Sequence, residues 1–270
     1  MLDDHTSAVV HEPSHRLMSL ATPQALVKPA LLVLFLALIG YYGEWNWIAD
    51  YWRLLLHGIA VTLALLVSSS IIGFVLALLL GVFQVTGPRT LAWPAQAFCT
   101  IIRGTPLLLQ LWMLYFGLGA VFAQYPEIRS SFVWPYLREA WPYALAALVF
   151  SFAGYVGEVM RGAFAGVPKG ELEAARAFGM SRRKMFLRIW LPRAVQRVLP
   201  VLTGEVILQL KSTPLVATVT MTDVFAVVAK VRQDTYLTYE PLILLALIYV
   251  VLTAILARLL RLCEARVTGN

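Results

Sequence analysis

The apolar residues of this 270-residue chain fall into six long stretches that alternate with polar segments. An α-helix needs about 20 predominantly apolar residues to cross the hydrocarbon core of a bilayer. The six stretches approach or exceed that length, and they cover residues 27–43, 56–83, 92–120, 143–163, 198–222 and 241–262. We therefore predict an all-α fold, a polytopic transmembrane helical bundle of five core spans with an extra N-terminal span before them.

The N-terminal region has two parts. Residues 1–26 contain no apolar stretch, and we expect a disordered cytoplasmic tail there. The stretch 27–43 is short for a span, and a cleavable signal peptide also has a short apolar core. The polar segment ahead of it is long, however, and no small-residue cleavage pattern follows Tyr42. The sequence therefore favours an extra span over a signal peptide.

The composition agrees with a membrane protein. Hydrophobic residues make up 60% of the chain and charged residues 14%, and the mean hydropathy is +0.74. So little polar surface would not cover a soluble globule of this size. The formal net charge of +7 would suggest a nucleic-acid partner for a soluble protein, but here the basic residues lie next to apolar spans. We therefore expect membrane lipid, and no nucleic acid, as a partner.

The basic residues also predict the orientation of the chain in the membrane. Residues 161–197 include nine Lys and Arg and two acids, whereas the segments 44–53, 121–142 and 223–240 hold five Lys and Arg together. Loops rich in Lys and Arg stay in the cytoplasm. With six spans, the basic loop and both termini are then cytoplasmic.

The charged run 168–192 has the pattern of two short helices. Pro168 suits the first turn of a helix, Gly179 suits a helix end, and Ser181 suits an N-cap. Pro192, which has no backbone N–H, is predicted to end the second helix. Apolar residues recur at spacings of three and four and give each helix one apolar side: Leu172, Ala175 and Phe178 or Gly179, then Met185, Phe186, Ile189 and Trp190.

Three interpretations fit this basic helix-turn-helix. Arg182, Arg183, Lys184 and Arg188 would meet phosphates in a DNA-binding unit, but apolar spans on both sides hold the segment at the bilayer surface. A solvated basic loop that obeys the positive-inside rule is the simpler structural alternative. We favour a docking element, in which the apolar helix sides lie in a groove of a cytoplasmic partner.

A spaced set of residues in this run resembles the EAA loop of the membrane subunits of bacterial ABC importers. The runs 103–108 and 204–213 are similar to those of the polar amino-acid branch, closest to histidine, arginine and opine permeases. The resemblance covers residues 51–267, which we expect to form an importer transmembrane domain with a coupling loop at 168–193. The matching residues of the EAA loop are Glu173, Ala174, Ala175, Gly179, Ile189, Leu191 and Pro192.

The resemblance implies a permease subunit of an ATP-driven importer in the cell inner membrane. Two separate ABC ATPase subunits would bind and hydrolyse the ATP and dock on the EAA loop. A second permease subunit, a related chain, and a periplasmic substrate-binding protein are implied as well. The sequence itself has no phosphate loop, zinc pair or nucleophile turn. We therefore expect no enzyme activity, catalytic residue, metal or cofactor in this chain.

The resemblance further implies that polar amino acids are transported, with a cationic group (histidine, arginine, lysine or ornithine), or opines. Two alternatives stay open at this point. One is an importer of neutral polar amino acids such as glutamine. The other is a membrane scaffold or sensor that contacts a cytoplasmic partner without transport.

Three residues of the 143–163 span share one helix face and are candidates for the substrate path: Ser151, Tyr155 and Glu158. A carboxylate there would hold the cationic group of an amino acid. The resemblance favours this role, because related permeases commonly have an acidic residue at this place; they have an Asn at the place of Ser151, where this chain departs. The structural alternative for Glu158 is an ion pair with Arg161.

The 198–222 span has a polar track that Pro214 interrupts, a pattern tolerated where backbone lines protein or a water-filled path. Glu205 and Lys211 also have a structural alternative, in which each pairs with an adjacent subunit. Arg103, followed by Gly104 and Pro106, indicates a similar kinked region that lines the path, unless Arg103 extends to the cytoplasmic surface. The candidates of the polar track are Glu205, Gln209, Lys211, Ser212 and Thr213.

Overall fold

The computed structural model describes residues 40–41 and 43–268. Contacts divide the chain into two units, residues 1–46 and 47–270. The predicted tail at 1–26 lies outside the described residues, and so does nearly all of the predicted extra span at 27–43. The described part of the second unit contains helices and no strand, which confirms the all-α prediction.

Four helices of the described region are long and apolar enough to cross a membrane, and a fifth span is present if a pair bent by 52° is counted as one. In chain order the described helices are α1 (Trp47–Thr86), α2 (Arg89–Gly104), α3 (Leu107–Gln124), α4 (Pro126–Arg129), α5 (Trp134–Leu137), α6 (Trp141–Ala165), α7 (Lys169–Ala177), α8 (Arg182–Val219), α9 (Val224–Thr235) and α10 (Tyr239–Thr268). The four long apolar helices are α1, α3, α6 and α10, and the bent pair is α8 with α9.

The central helix of this unit is α6. Of its most apolar window 61% is buried, against 6% for the corresponding windows of α3 and α10. It packs along α1, where Gly73 and Gly81 leave room for Phe152 and Met160 of α6. Small residues allow this close approach of two helices, which in a membrane is stabilised by van der Waals packing.

The predicted span 92–120 is wrong as a single helix. Thr105 has an extended backbone (φ −118°, ψ 141°), and α2 ends before it at Gly104. Pro106 has no N–H to donate to a preceding turn, so a new helix, α3, begins at Leu107. The helix long enough to span is therefore 107–124, which includes a π-helical turn at Met113–Leu118.

The predicted helix end at Pro192 is also wrong. A π-helical turn at Phe186–Trp190 precedes this proline, and the helix then continues as an α-helix from Leu191 to Ser212. The N–H of Leu191 donates to the carbonyl of Phe186, which is five residues back instead of four. The α-helical hydrogen-bond pattern is therefore already interrupted at the point where Pro192 has no N–H to donate. The coupling loop and the following span therefore share one helix, α8.

The predicted span 198–222 ends where the helix is interrupted. α8 finishes as a 3₁₀-helix at Thr213–Val219, Thr220 has a positive φ of 66°, and a new helix, α9, starts at Val224. Backbone donors at the start of α9 are satisfied by side chains. The N–H of Ala226 donates to Asp223 Oδ1 (2.9 Å) and that of Val224 donates to Thr62 Oγ1 of α1 (3.2 Å).

Candidate functional site

A cavity of about 290 Å³ lies where the α2–α3 break faces α6 and α8. The break itself forms one wall, and residues from one face each of α6 and α8 form the others. Five of the nine predicted substrate-path residues therefore share this cavity. Its lining comprises Thr105, Pro106 and Leu107 of the break, Ser151, Phe152 and Tyr155 of α6, and Glu205, Leu208, Gln209 and Ser212 of α8.

Glu205 is the one carboxylate among the described residues that line the cavity, and its side chain is half-buried. Arg103, which is exposed and is not among the described residues that line the cavity, has its guanidinium carbon 6.0 Å from the centroid of the Tyr155 ring. A guanidinium at that distance is attracted to the face of an aromatic ring. The surroundings of Tyr155 thus offer a negative and a positive group for a polar ligand.

Gln209 forms part of the cavity wall but also joins three helices. Its side chain is buried, and Nε2 donates to Ser69 Oγ of α1 (3.0 Å) and to the Leu148 carbonyl of α6 (2.9 Å). A buried amide with two such bonds is held in one orientation. Gln209 therefore fixes α8 against α1 and α6.

Glu158 forms the ion pair that was the structural alternative for it. Arg161 donates to Glu158 Oε1 from Nε (2.8 Å) and from Nη2 (2.5 Å). Glu158 lies one turn beyond Tyr155 and does not line the cavity among the described residues. Its place in the substrate path stays a prediction, and the pair with Arg161 speaks against it.

Lys211 and Thr213 face away from the cavity. Lys211 is exposed and lines a groove with Tyr249 and other residues of α10. Thr213 is buried, donates to the Leu210 carbonyl (2.8 Å) and lies 3.2 Å from the Tyr249 hydroxyl. The polar track of the sequence therefore divides between two sides of α8.

Thr105, Pro106 and Leu107 were not among the predicted site residues, although the sequence indicated a kinked, pore-lining region after Arg103. These residues fall in the middle of an apolar stretch that was predicted to be one helix. The proline at 106 was the available signal, because a proline within a span often breaks the helix. No comparable signal marks Phe152 or Leu208, which are apolar residues among many.

The coupling loop folds as the sequence predicts up to Trp190. Pro168 precedes α7, Gly179 has a φ of +73° that suits glycine, and the Ser181 hydroxyl accepts from the Lys184 N–H (3.4 Å). An open groove of about 800 Å³ separates α7 from the first turns of α8, and the Arg193 and Glu171 side chains pair near it at 3.1 Å.

Most of the EAA-loop residues contact this groove. Ala174, Ala175, Ile189 and Pro192 line it, together with Phe178, whose side chain is 88% exposed. The others do not line it: Glu173 is exposed, Gly179 forms the turn, and Leu191 packs towards the core.

An aromatic cluster anchors the coupling loop on α6. Trp190 Nε1 donates to the Phe164 carbonyl at 2.9 Å, and the Phe164 ring stacks with Phe186 at 6.0 Å between centroids. Phe164 belongs to the same helix as Ser151 and Tyr155 of the cavity. A displacement of the loop would therefore be passed to α6 as a rigid element.

Apolar spans, a cavity between them that is lined in part by polar groups, and an exposed amphipathic loop bonded to a cavity-lining helix together define a membrane transport subunit. Residues 73–269 match the family of binding-protein-dependent transport system inner membrane components, and the chain belongs to this family. It is a permease subunit of an ABC importer, which confirms the resemblance seen in the coupling loop.

Similar proteins are known in sequence and in structure. The octopine transport system permease protein of Rhizobium radiobacter is 42% identical over 210 residues, which are 78% of this chain and 84% of that protein. The histidine/lysine/arginine/ornithine permease protein of Escherichia coli (strain K12) is 35% identical over 226 residues, 80% and 93% of the two chains. A chain in the crystal structure of an amino acid ABC transporter with histidines has a TM-score of 0.69 at 28% identity, covering 83% of this chain and 98% of that one.

Proposed function

We propose that this permease moves polar amino acids with a cationic group, or opines, and that the cavity beside Glu205 is part of their path. The lining of that cavity carries the proposal, since it combines one carboxylate with hydroxyl and amide groups. Such a lining suits a small ligand with several hydrogen-bonding groups. The relatives named for octopine and for histidine, lysine, arginine and ornithine support this substrate class.

Two charged residues give the cavity its selectivity in this proposal. The Glu205 carboxylate accepts hydrogen bonds from the ammonium or guanidinium group of the substrate. The Arg103 guanidinium, held beside the Tyr155 ring, attracts the substrate's carboxylate. A zwitterionic amino acid with a basic side chain satisfies both, whereas a neutral side chain leaves Glu205 without a charged partner.

The energy for transport comes from partner subunits. Two ABC ATPases dock on the coupling loop, with the exposed Phe178 and the groove of Ala174 and Ile189 as the contact. A second, related permease completes the path, and a substrate-binding protein delivers the ligand from the periplasm. The chain itself is not an enzyme in this assembly, and it lies in the cell inner membrane with the coupling loop and the C-terminus in the cytoplasm.

The test is ATP-dependent uptake into proteoliposomes that contain this chain, its ATPase, its sister permease and its binding protein. Labelled arginine, histidine, octopine and glutamine are compared for the wild-type and Glu205→Gln permeases. We expect the substitution to lower uptake of the cationic substrates about tenfold or more, because a hydrogen bond to a charged group contributes about 1.5–3 kcal/mol.

Glu158→Gln is the matched control, since the same change is made one span away in a carboxylate already paired with Arg161. We expect it to leave the ranking of substrates unchanged. If the wild-type permease takes up glutamine and none of the cationic substrates, it is instead an importer of neutral amino acids. If no substrate moves while the assembled complex hydrolyses ATP, the scaffold or sensor interpretation gains and our substrate class is wrong.

A further inference from the structure

The break between α2 and α3 leaves backbone groups that need partners. The last carbonyls of a helix accept no hydrogen bond from an N–H of the same helix, and Pro106 has no N–H to donate to them. In a membrane, where water is scarce, such groups cost several kcal/mol each if nothing satisfies them. The carbonyls concerned include those of Ile101 and Ile102.

Gln110 satisfies these groups from the first turn of α3. Three oxygens lie within hydrogen-bond distance of its Nε2, and its two N–H groups are shared among them: the Ile102 carbonyl (2.8 Å), the Thr105 carbonyl (3.0 Å) and Thr105 Oγ1 (2.8 Å). The Thr105 hydroxyl donates in turn to the Ile101 carbonyl (2.8 Å). One amide therefore holds both sides of the break, while the Gln110 backbone N–H is bonded to the Pro106 carbonyl (3.1 Å).

The orientation of this amide follows from its neighbours. All three atoms near Nε2 are oxygens, so the reversed amide would place Oε1 against them. In the observed orientation Oε1 is buried and has no hydrogen-bond partner among the described residues. A buried acceptor without a partner costs free energy, and an apolar side chain would avoid that cost. The bonds of Nε2 are therefore the reason for an amide at this position.

The chain held by Gln110 is the cavity wall. On the α2 side, Ile102 packs directly on α6: a Cβ added to Gly154 would lie 2.5 Å from Ile102 Cγ2. The next residues, Thr105, Pro106 and Leu107, then line the cavity. Gln110 does not line it among the described residues, so it acts on the cavity through Thr105.

We propose that Gln110 is a positioning residue of the transport path, which holds the Thr105–Leu107 wall in place so that the cavity is formed before substrate arrives. This inference rests on the proposed function of the cavity. A wall that moves lets substrate slip while ATP is hydrolysed, because binding groups act together only when they are held in the right geometry. The consequence is a lower number of substrate molecules moved per ATP.

The experiment compares Gln110→Leu and Gln110→Glu, which removes the N–H donors at constant shape, with Gln84→Leu as control. Gln84 is a second half-buried glutamine whose amide donates to Cys99 Sγ (3.5 Å), away from the cavity. In the reconstituted complex, both Gln110 variants should lower the number of labelled arginine or octopine molecules moved per ATP by about tenfold or more, because a misplacement of about 1 Å can cost about 100-fold. The ATPase rate and complex assembly should stay within twofold, and the control should match wild type.

A second readout follows the wall without any substrate. Leu107→Cys is labelled with a water-soluble maleimide in a background where the exposed Cys263 is Ser; Cys99 is buried and remains. We expect Gln110→Leu to raise the labelling rate of this cysteine about fivefold, because a loosened segment opens more often. An unchanged labelling rate would overturn the inference, whatever the uptake.

The uptake data separate the inference from the function on which it rests. If labelling changes but transport per ATP falls only in Glu205→Gln, the cavity is the path and Gln110 has no positioning role. If neither variant affects transport, the assignment of the cavity itself is wrong. A parallel loss of ATPase activity and assembly in the Gln110 variants would show a purely structural role and also overturn the inference.

Discussion

Three glycines of α1 lie where a neighbouring helix leaves no space for a side chain: Gly58, Gly73 and Gly81. The groups that an added Cβ would contact differ in how easily they can move away. A Cβ at Gly73 would meet the Phe152 side chain, whereas one at Gly58 would meet the Val224 Cα at 2.9 Å and the Asp223 carbonyl at 3.0 Å. Because backbone cannot rotate away, Gly58 is the position that most strictly requires glycine.

Gly58→Ala should therefore destabilise the isolated permease by about 1–3 kcal/mol, the usual cost of an overpacked core. Thermal unfolding in detergent measures it, with Gly204→Ala as the control. Among the described residues, nothing outside the backbone of α8 itself lies within 4 Å of a Cβ at Gly204, so alanine there should be neutral or stabilising by about 1 kcal/mol through helix propensity. Equal melting temperatures for the two variants would contradict the packing argument.

At the scale of single residues, the sequence shows which positions inside the spans are polar, but it does not show which side of the helix faces the cavity. Ser151, Tyr155, Glu205, Gln209 and Ser212 were candidates because polar groups inside spans are costly, and all five line the cavity. The same criterion also selects residues that face elsewhere, as Lys211 and Thr213 do. Which side of a helix faces a cavity depends on packing partners far away in sequence, and no local pattern contains that information.

Among the elements, α6 connects the two candidate sites. Its middle turns carry the cavity residues and its last turn carries Phe164, whose carbonyl accepts a hydrogen bond from Trp190 of the coupling loop and whose ring packs on Trp190. Proteins transmit rearrangements through such rigid, packed elements. The bond from Trp190 is thus the point at which movement of the loop reaches the cavity.

Trp190→Phe keeps an aromatic ring but removes the N–H that donates to Phe164. A hydrogen bond of this kind contributes about 1 kcal/mol, so we expect uptake per ATP to fall a few-fold, and further in Trp190→Leu, where the ring packing is also lost. Trp93→Phe is the control, since the Trp93 side chain is 72% exposed. Unchanged uptake per ATP in both Trp190 variants would show that the loop acts on the spans by another route.

The boundaries of elements show where sequence patterns fail. Pro106 was placed inside a predicted span and Pro192 was predicted to end a helix, yet the first breaks that span and the second lies within a continuous helix. The difference comes from the preceding residues, because a π-helical turn before Pro192 makes its missing donor harmless, while an extended Thr105 precedes Pro106. Apolar periodicity predicts the helices but not such irregular turns.

For the whole molecule, the orientation in the membrane is a prediction from charge. The coupling loop is rich in Lys and Arg, so the positive-inside rule predicts that it is cytoplasmic. Two phenylalanines with nearly equal exposure can test this prediction: Phe178 of the loop is 88% exposed, and Phe132, between α4 and α5, is 87% exposed.

An impermeant maleimide added to intact spheroplasts should label Phe132→Cys and leave Phe178→Cys unlabelled until the membrane is opened. Both variants are made with Cys263 replaced by Ser. The matched exposure of the two positions means that a difference in labelling reports the side of the membrane and not burial. Labelling of Phe178→Cys from outside would reverse the proposed orientation.

Assembly is the second property of the whole molecule that can be tested. Glu173 is exposed on the coupling loop, so Glu173→Arg should leave the permease folded but reduce co-purification of the ATPase subunits by at least about tenfold, as expected when a contact charge is reversed. The same reversal at Glu127, an exposed residue of α4, is the control. Normal co-purification of the Glu173 variant would remove this residue from the docking surface.

The π-helical turn of α8 determines the angle between two surfaces of the same helix. Each residue of an α-helix advances the side-chain direction by about 100°, and a π turn holds about one residue more than an α turn. This turn, at Phe186–Trp190, lies between the start of α8 at Arg182 and the cavity residue Glu205. Deleting Leu187 would therefore rotate the first turn of α8, and with it α7, by roughly a quarter of a revolution relative to the cavity face while leaving the cavity residues unchanged. We therefore expect the phase of this one helix, as much as the identity of its residues, to set how α7 and the start of α8 are aligned with the cavity.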